Sequence, residues 1–311
     1  MKNFLVLIFS LLSAAALHSQ GNPYSTVFSH YTVNPVLISP AYAGFSGNQQ
    51  IHMNMRAQWS GFPDAPKDYA IGYNGAVGNT LGLGMQLFSE TAGNLNTQRF
   101  QLNYAFRYQL KRMKLAAGFS TEFLRYQLAR SVRDNFLYQP GDQIIEDAIE
   151  GNRIFDASAS LQGAYDGNTT FGITFTNLVL SRIGAIQSGD PQGSLFKYFI
   201  MNFGHELDVE QYNFKLRPSI MVARVKDKPM QIDFNMLGSF IDDKLVAGAS
   251  YRAGLGGAVG LLLGTHIDFL RLYYSYDVSF QDVQQYHSGT HEVTIGFNLE
   301  GAKRRQVGGA Q

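Results

Sequence analysis

Ile51-His52-Met53-Asn54-Met55-Arg56-Ala57-Gln58-Trp59 places an apolar residue at every odd position and a polar one at every even position. Successive side chains of an extended chain point to opposite faces, so this alternation means a strand with one apolar and one polar face. The arrangement recurs. Phe100, Leu102, Tyr104, Phe106 and Tyr108 alternate with Arg99, Gln101, Asn103, Ala105 and Arg107, and Val293, Ile295, Phe297 and Leu299 alternate with Glu292, Thr294, Gly296 and Asn298. About fourteen such segments are expected. They lie near 50–59, 67–76, 79–89, 97–109, 112–126, 153–165, 169–178, 195–206, 211–224, 229–239, 243–252, 256–265, 268–280 and 289–299.

Connection lengths point the same way. Links after even-numbered segments are short, as at Val77-Gly78, Leu110-Lys111, Asp166-Gly167-Asn168 and His266-Ile267. Those after odd-numbered segments include the long stretches 127–152 and 179–193. An all-β, up-and-down antiparallel transmembrane barrel has short turns on one rim and long loops on the other, and closure leaves no strand edge in lipid. The expected barrel spans 49–300, with the short rim and both termini periplasmic. Charges fix its facing. Arg56, Arg99, Arg107, Arg217, Arg252, Arg271, Asp156, Asp233, Asp277 and Glu292 lie on the polar face. Arg or Lys on a lipid face costs up to about 4 kcal/mol at the midplane, so these residues point into the lumen. Both signs are present, which suits either a neutralised interior or a charged conduit. Tyr69, Tyr108, Tyr126, Tyr198 and Tyr273 are candidates for interfacial girdles.

Composition agrees. Charged residues make up 16% of the 311 residues, against about 25% in an ordinary soluble domain. There are 17 Tyr, 23 Phe and no Cys, so an exported fold must hold itself together by a sheet network or by lipid. The net charge of +1 gives no case for nucleic acid. Lys2, the apolar run Phe4 to Leu17 and the small-residue exit at Ser19-Gln20 read as a secretory signal peptide over 1–19. Residues 20–48 carry Pro23, Pro35 and Pro40 with no sustained period, and suit a leader that plugs the lumen or packs on the periplasmic rim. A basic tail, 301–311, follows the last strand.

The leader also carries a resemblance. Asn34-Pro35, followed by Ser39-Pro40-Ala41-Tyr42-Ala43-Gly44, resembles the N-P-x-x-x-N-P-A-x-A-G opening of the PorP/SprF family, outer-membrane proteins of the type IX secretion system of the Bacteroidetes. Arg56-Ala57-Gln58-Trp59 with Pro63 and Pro66 is similar to that family's R-x-Q-W strand and its proline-containing loop. Further likenesses follow in order at Gly82 to Gly84, Asn103 to Arg107, Gly172 to Leu178, Arg217-Pro218, Gln231 to Asn235, Tyr251-Arg252, Tyr274 to Asp277 and Gly289 to Glu292. Ser39 stands where Asn is usual, and Glu90 where Asp is expected before Gly93. The resemblance implies a non-enzymatic barrel supporting secretion, surface attachment or gliding. Its implied partners are secreted cargo with a C-terminal sorting domain, periplasmic machine components and outer-membrane lipid. A diffusion porin or fatty-acid-type transporter is the competing expectation.

Catalytic motifs, metal sites and cofactor sites are not found in the sequence. His291-Glu292 opens like a zinc-protease motif, but Ile295 occupies the second histidine position. The acidic stretch Asp142 to Glu150 lacks the calcium-loop spacing. The candidate lumen or partner-binding cluster is Arg56, Arg107, Asp233, Arg252, Asp277 and Glu292. The candidate plug residues are Asn34, Pro35, Pro40, Tyr42 and Gly44.

Overall fold

The computed structural model describes residues 27–134, 138–183, 197–225, 229–254, 257–280 and 288–299. The expected signal peptide and basic tail lie outside the described residues. Fourteen strands form one closed antiparallel barrel. They are β1 (Gln50–Ala57), β2 (Lys67–Val77), β3 (Leu81–Ala92), β4 (Leu95–Leu110), β5 (Met113–Leu128), β6 (Asn152–Tyr165), β7 (Thr169–Phe175), β8 (Phe199–His205), β9 (Phe214–Arg224), β10 (Gln231–Phe240), β11 (Leu245–Ala253), β12 (Ala258–Ile267), β13 (Leu270–Ser279) and β14 (Thr290–Asn298). Each pairs with the next, and β14 returns to β1 from Gln50 opposite Asn298 to Ala57 opposite His291.

Alternation sets the two faces as expected. His52, Asn54 and Arg56 are buried in the interior, whereas Met53 and Met55 are 46% and 48% exposed on the outer wall. Gln101, Asn103 and Arg107 point inward beside outward Phe106 and Tyr108. The tyrosine reading needs correction. Tyr69 and Tyr108 face outward, but Tyr126, Tyr198 and Tyr273 are buried. They share the inward parity of Glu122, Ile200 and Asp277 on their own stretches, so they fill the lumen rather than a girdle.

Two boundaries differ from the sequence reading for physical reasons. β3 and β4 run on until only Gly93 and Asn94 connect them, although apolar alternation ends earlier. Their outward residues there are Ser89, Thr91, Asn96 and Gln98, so the ladder continues while the outer face turns polar. β7 stops at Phe175 rather than near 178. The Asp156 carboxylate accepts the Val179 and Leu180 N–H groups at 3.0 and 3.1 Å and the Asn177 amide at 2.9 Å, which draws this stretch into the lumen. Asn177 and Leu180 take positive φ there, and Ser181–Arg182 then rejoins β6 opposite Phe155 and Ile154.

The barrel interior is occupied. Residues 28–45 form three short 3-10 turns, Ser29–Thr32, Pro35–Leu37 and Pro40–Tyr42, enclosed by the wall. Phe28, His30, Val36, Ala41 and Ala43 are all buried. Phe28 lies against Ala70 and Phe88, Tyr31 and Ile38 against Ile200 and Met221, and Ala41 against Ala116 and Ala164. The core of this protein is therefore its lumen.

Candidate functional site

The leader descends from the long-loop half of the lumen to the short-turn rim. Ser29 and His30 sit beside Glu292, two residues from the upper end of β14. The Gln86 side chain donates to the Val36 carbonyl at 3.0 Å near mid-strand, and the Ala41 N–H donates to Ser160 Oγ at 2.9 Å below it. Gly44 has φ of +61° and lies so near β2 that a Cβ would stand 2.6 Å from the Gly75 carbonyl oxygen. Glycine is the residue that meets both demands. Val27 thus lies in the long-loop half, whereas Leu299 donates to the Gln49 carbonyl at the opposite rim.

A charged clasp holds the upper end of the leader. Glu292 is 0% exposed, and its two carboxylate oxygens accept the Ser29 and His30 N–H groups at 2.8 and 2.9 Å. Arg56 Nη1 donates to Glu292 at 2.8 Å, to Asp277 at 3.3 Å and to Ser29 Oγ at 2.8 Å. The Ser29 hydroxyl in turn donates to Asp277 Oδ2 at 2.9 Å. From the other side Arg252 donates to Ser29 Oγ at 3.2 Å and to both Asp233 oxygens at 3.1 and 3.2 Å. Asn235 donates to the Tyr31 hydroxyl at 2.8 Å. Two arginines and three carboxylates from β1, β10, β11, β13 and β14 thus converge on one leader serine. Buried charges persist when paired and hydrogen-bonded, and this set satisfies that condition through the leader.

Five of the six residues expected in the lumen cluster meet here. Arg107 does not. It lies toward the short-turn rim, where it donates to the carbonyls of Gly44 at 2.7 Å, Gly78 at 2.7 Å and Leu81 at 3.1 Å. Asn34 reaches Asn54 at 3.3 Å, and Pro35 and Pro40 each open a 3-10 turn. Tyr42 is hydrogen-bonded to Asn202 and Gln162 and packs on Phe45. Sequence reading missed Ser29 and His30, which precede the leader motif and carry no signal of their own.

The chemistry of this site is holding. Burial pushes the His30 imidazole below its ordinary value, opposed by the Glu292 carboxylate, and burial raises the Tyr31 phenol. His30 Nδ1 faces both the Thr294 hydroxyl at 2.6 Å and Glu292 at 3.7 Å. A relay needs the hydroxyl on one ring nitrogen and the orienting carboxylate on the other, so the pair does not form one. No group of three potential metal ligands occurs among the described residues. In the acidic stretch, Asp142 caps the helix α1 (Gln143–Glu150) and Glu146 is held by Arg133 and Tyr138.

The profile of the type IX secretion system membrane protein family PorP/SprF matches residues 21–297. This chain belongs to the PorP/SprF family. No curated protein matches it significantly. Among solved structures, a TodX monoaromatic hydrocarbon channel mutant shares 12% identity over 87% of this chain and 94% of its own, with a TM-score of 0.50. The CymD monoaromatic hydrocarbon channel shares 10% identity over 89% and 92%, at 0.47. Acinetobacter baumannii Omp33 shares 8% identity over 81% and 97%, at 0.46. At such identities the TodX likeness speaks for the fold alone, an antiparallel β-barrel. The family of this PorP/SprF protein is one of type IX secretion system membrane proteins.

Proposed function

We propose that this PorP/SprF barrel is a plugged docking protein of the type IX secretion and gliding machinery, which supports the secretion or surface attachment of partner proteins. The single observation that carries the reading is the occupied lumen. Residues 28–45 run through it and bond to opposite walls, which suits a platform better than an open conduit. The partners proposed are secreted cargo with a C-terminal sorting domain and periplasmic components of the machine. The long loops face outward from the cell and the short-turn rim, with Leu299, faces the periplasm; connection lengths support this orientation. A cleaved signal peptide over 1–19 delivers the chain to the outer membrane. The leader acts as the plug and the clasp around Ser29 as its latch.

The competing reading is a diffusion porin or small-molecule transporter, which the likeness to a hydrocarbon channel keeps in view. Affinity purification of the tagged, membrane-extracted barrel with mass spectrometry tests the proposal. Recovery of a large secreted protein bearing a sorting domain, together with periplasmic machine components, is expected. Recovery of neither, with steady ion conductance in planar bilayers, would overturn it in favour of the porin.

A further inference from the structure

The outer wall holds a feature that neither the plug nor the fold requires. Across the upper ends of the strands, directly opposed residues form one row, from Val293 and Met55 through Ser89 and Gln98 to Arg125 and Arg153. All of these side chains carry the outward parity of their strands. The next row down is wholly apolar: Ile295, Met53, Ile71, Leu87, Phe100 and Phe123. Together the rows line an open trough of about 860 Å³ on the outside of the barrel. The wall therefore passes within one row from hydrocarbon-like to cationic, which is the chemical profile of a lipid from acyl chain to headgroup.

Arg125 and Arg153 are exposed and directly opposite each other on β5 and β6. Like charges in that position repel. No carboxylate among the described residues pairs with either; Arg125 donates only to the Glu150 carbonyl, at 3.2 Å. Three inward arginines of this barrel, Arg56, Arg99 and Arg252, do find acids. Two adjacent guanidinium forks without a protein counter-ion, above an apolar trough, match a phosphate group carried on several acyl chains.

We infer that Arg125 and Arg153 with the trough beneath them form a binding site for a phosphorylated, multiply acylated glycolipid of the outer leaflet. The inference rests on the proposed orientation, which places this end of the strands in that leaflet. The guanidinium groups bridge one phosphate, relieving their mutual repulsion, while the acyl chains lie along Met53, Leu87 and Phe100. Such a lipid fixes the height of the barrel beside its longest loops.

The test is native mass spectrometry of the purified full-length barrel, delipidated and offered bisphosphoryl lipid A, its dephosphorylated form, phosphatidylglycerol or phosphatidylethanolamine. Retention of lipid A at about tenfold or more over phosphatidylethanolamine is expected, lost on dephosphorylation and in the Arg125→Gln/Arg153→Gln variant. Heat-modified gel mobility checks assembly, and Arg112→Gln on the other rim serves as the charge control. Equal retention of phosphorylated and dephosphorylated lipid A by the unaltered protein overturns the site without reference to any variant. A double variant that keeps the preference overturns the role of the two arginines. Phosphatidylglycerol retained in place of lipid A, and lost in the double variant, overturns both the occupant and the orientation, while the docking function is tested separately by its partners.

Discussion

Replacing Glu292 by alanine should release the upper end of the leader while the barrel still closes. In the native protein this carboxylate accepts two leader N–H groups and the Arg56 guanidinium, and it is wholly buried. Removing one partner of a buried ion pair costs about 3–5 kcal/mol, and because Arg56 keeps Asp277 at 3.3 Å the lower end, about 3 kcal/mol, applies. The two orphaned N–H groups belong to the same event and are not added to that figure, since the freed segment takes them to water. The wall loses little by comparison, because its ladder is made of backbone bonds. At about 1.4 kcal/mol per tenfold, the leader should open roughly a hundredfold more often. Hydrogen exchange with mass spectrometry on the detergent-solubilised barrel reads this directly. Amides near 29–34 should exchange faster by that factor, while those of β4 and β5 stay protected. Asp277→Ala should do less, since Asp277 accepts through one oxygen and its Oδ1 has no hydrogen-bond partner among the described residues. Unchanged protection at 29–34 in an assembled Glu292→Ala barrel would refute the latch.

Two further outcomes test the leader elsewhere. Gly118 faces the lumen, and a Cβ there would overlap the backbone of Ala41; Gly118→Ala should keep barrel assembly and gel mobility yet loosen residues 40–43, with accelerated exchange as the readout and native protection there as the refuting result. His30 is held below its ordinary value of 6.5 by burial. The released leader therefore binds more protons than the docked one once pH drops below 6.5, and docking weakens as pH falls through that value by at most about 1.4 kcal/mol per pH unit until docked His30 protonates too. Exchange at 29–34, corrected for intrinsic rates, should rise from pH 7.5 to pH 5.5. An equal rise in His30→Gln would exclude this residue as the cause.

Alternation made the wall legible because a one-residue slip would turn every side chain to the other face. Arg56, Asp233, Arg252, Asp277 and Glu292 share one face on that ground, and the cost of charge in lipid turns that face inward. Face, however, is not height. Arg107 has the same inward parity as the clasp residues but belongs to the other end of the lumen, and only the strand register separates them. Tyr273 shares the parity of Asp277, so its inward direction was available; position near a strand end misled. The inward bend after β7 was not available, since it depends on Asp156, which lies on β6 and far away in sequence. Ser29 and His30 were silent for a related reason. A lone serine hydroxyl shows nothing in the sequence of the Arg56, Arg252 and Asp277 side chains that it meets, and the N–H groups of both residues, which meet Glu292, are groups that every residue except proline possesses.

That last point accounts for the irregularity of the leader. A regular helix would spend its backbone groups on itself, leaving only its ends free. The prolines interrupt the chain into 3-10 turns, and the freed groups face the polar wall. Gln86 donates to Val36, Arg107 to Gly44 and Lys114 to Phe45, while Ser29, His30 and Ala41 donate outward to Glu292 and Ser160. Each bond satisfies one buried group on the wall and one on the leader at the same time. A lumen lined with arginine, glutamine and carboxylates would be costly if filled with apolar side chains, because each polar group would lose its partner. A proline-broken run of 3-10 turns is the filler whose chemistry answers that wall, and the polar series that reads as a channel lining in the sequence is its binding surface.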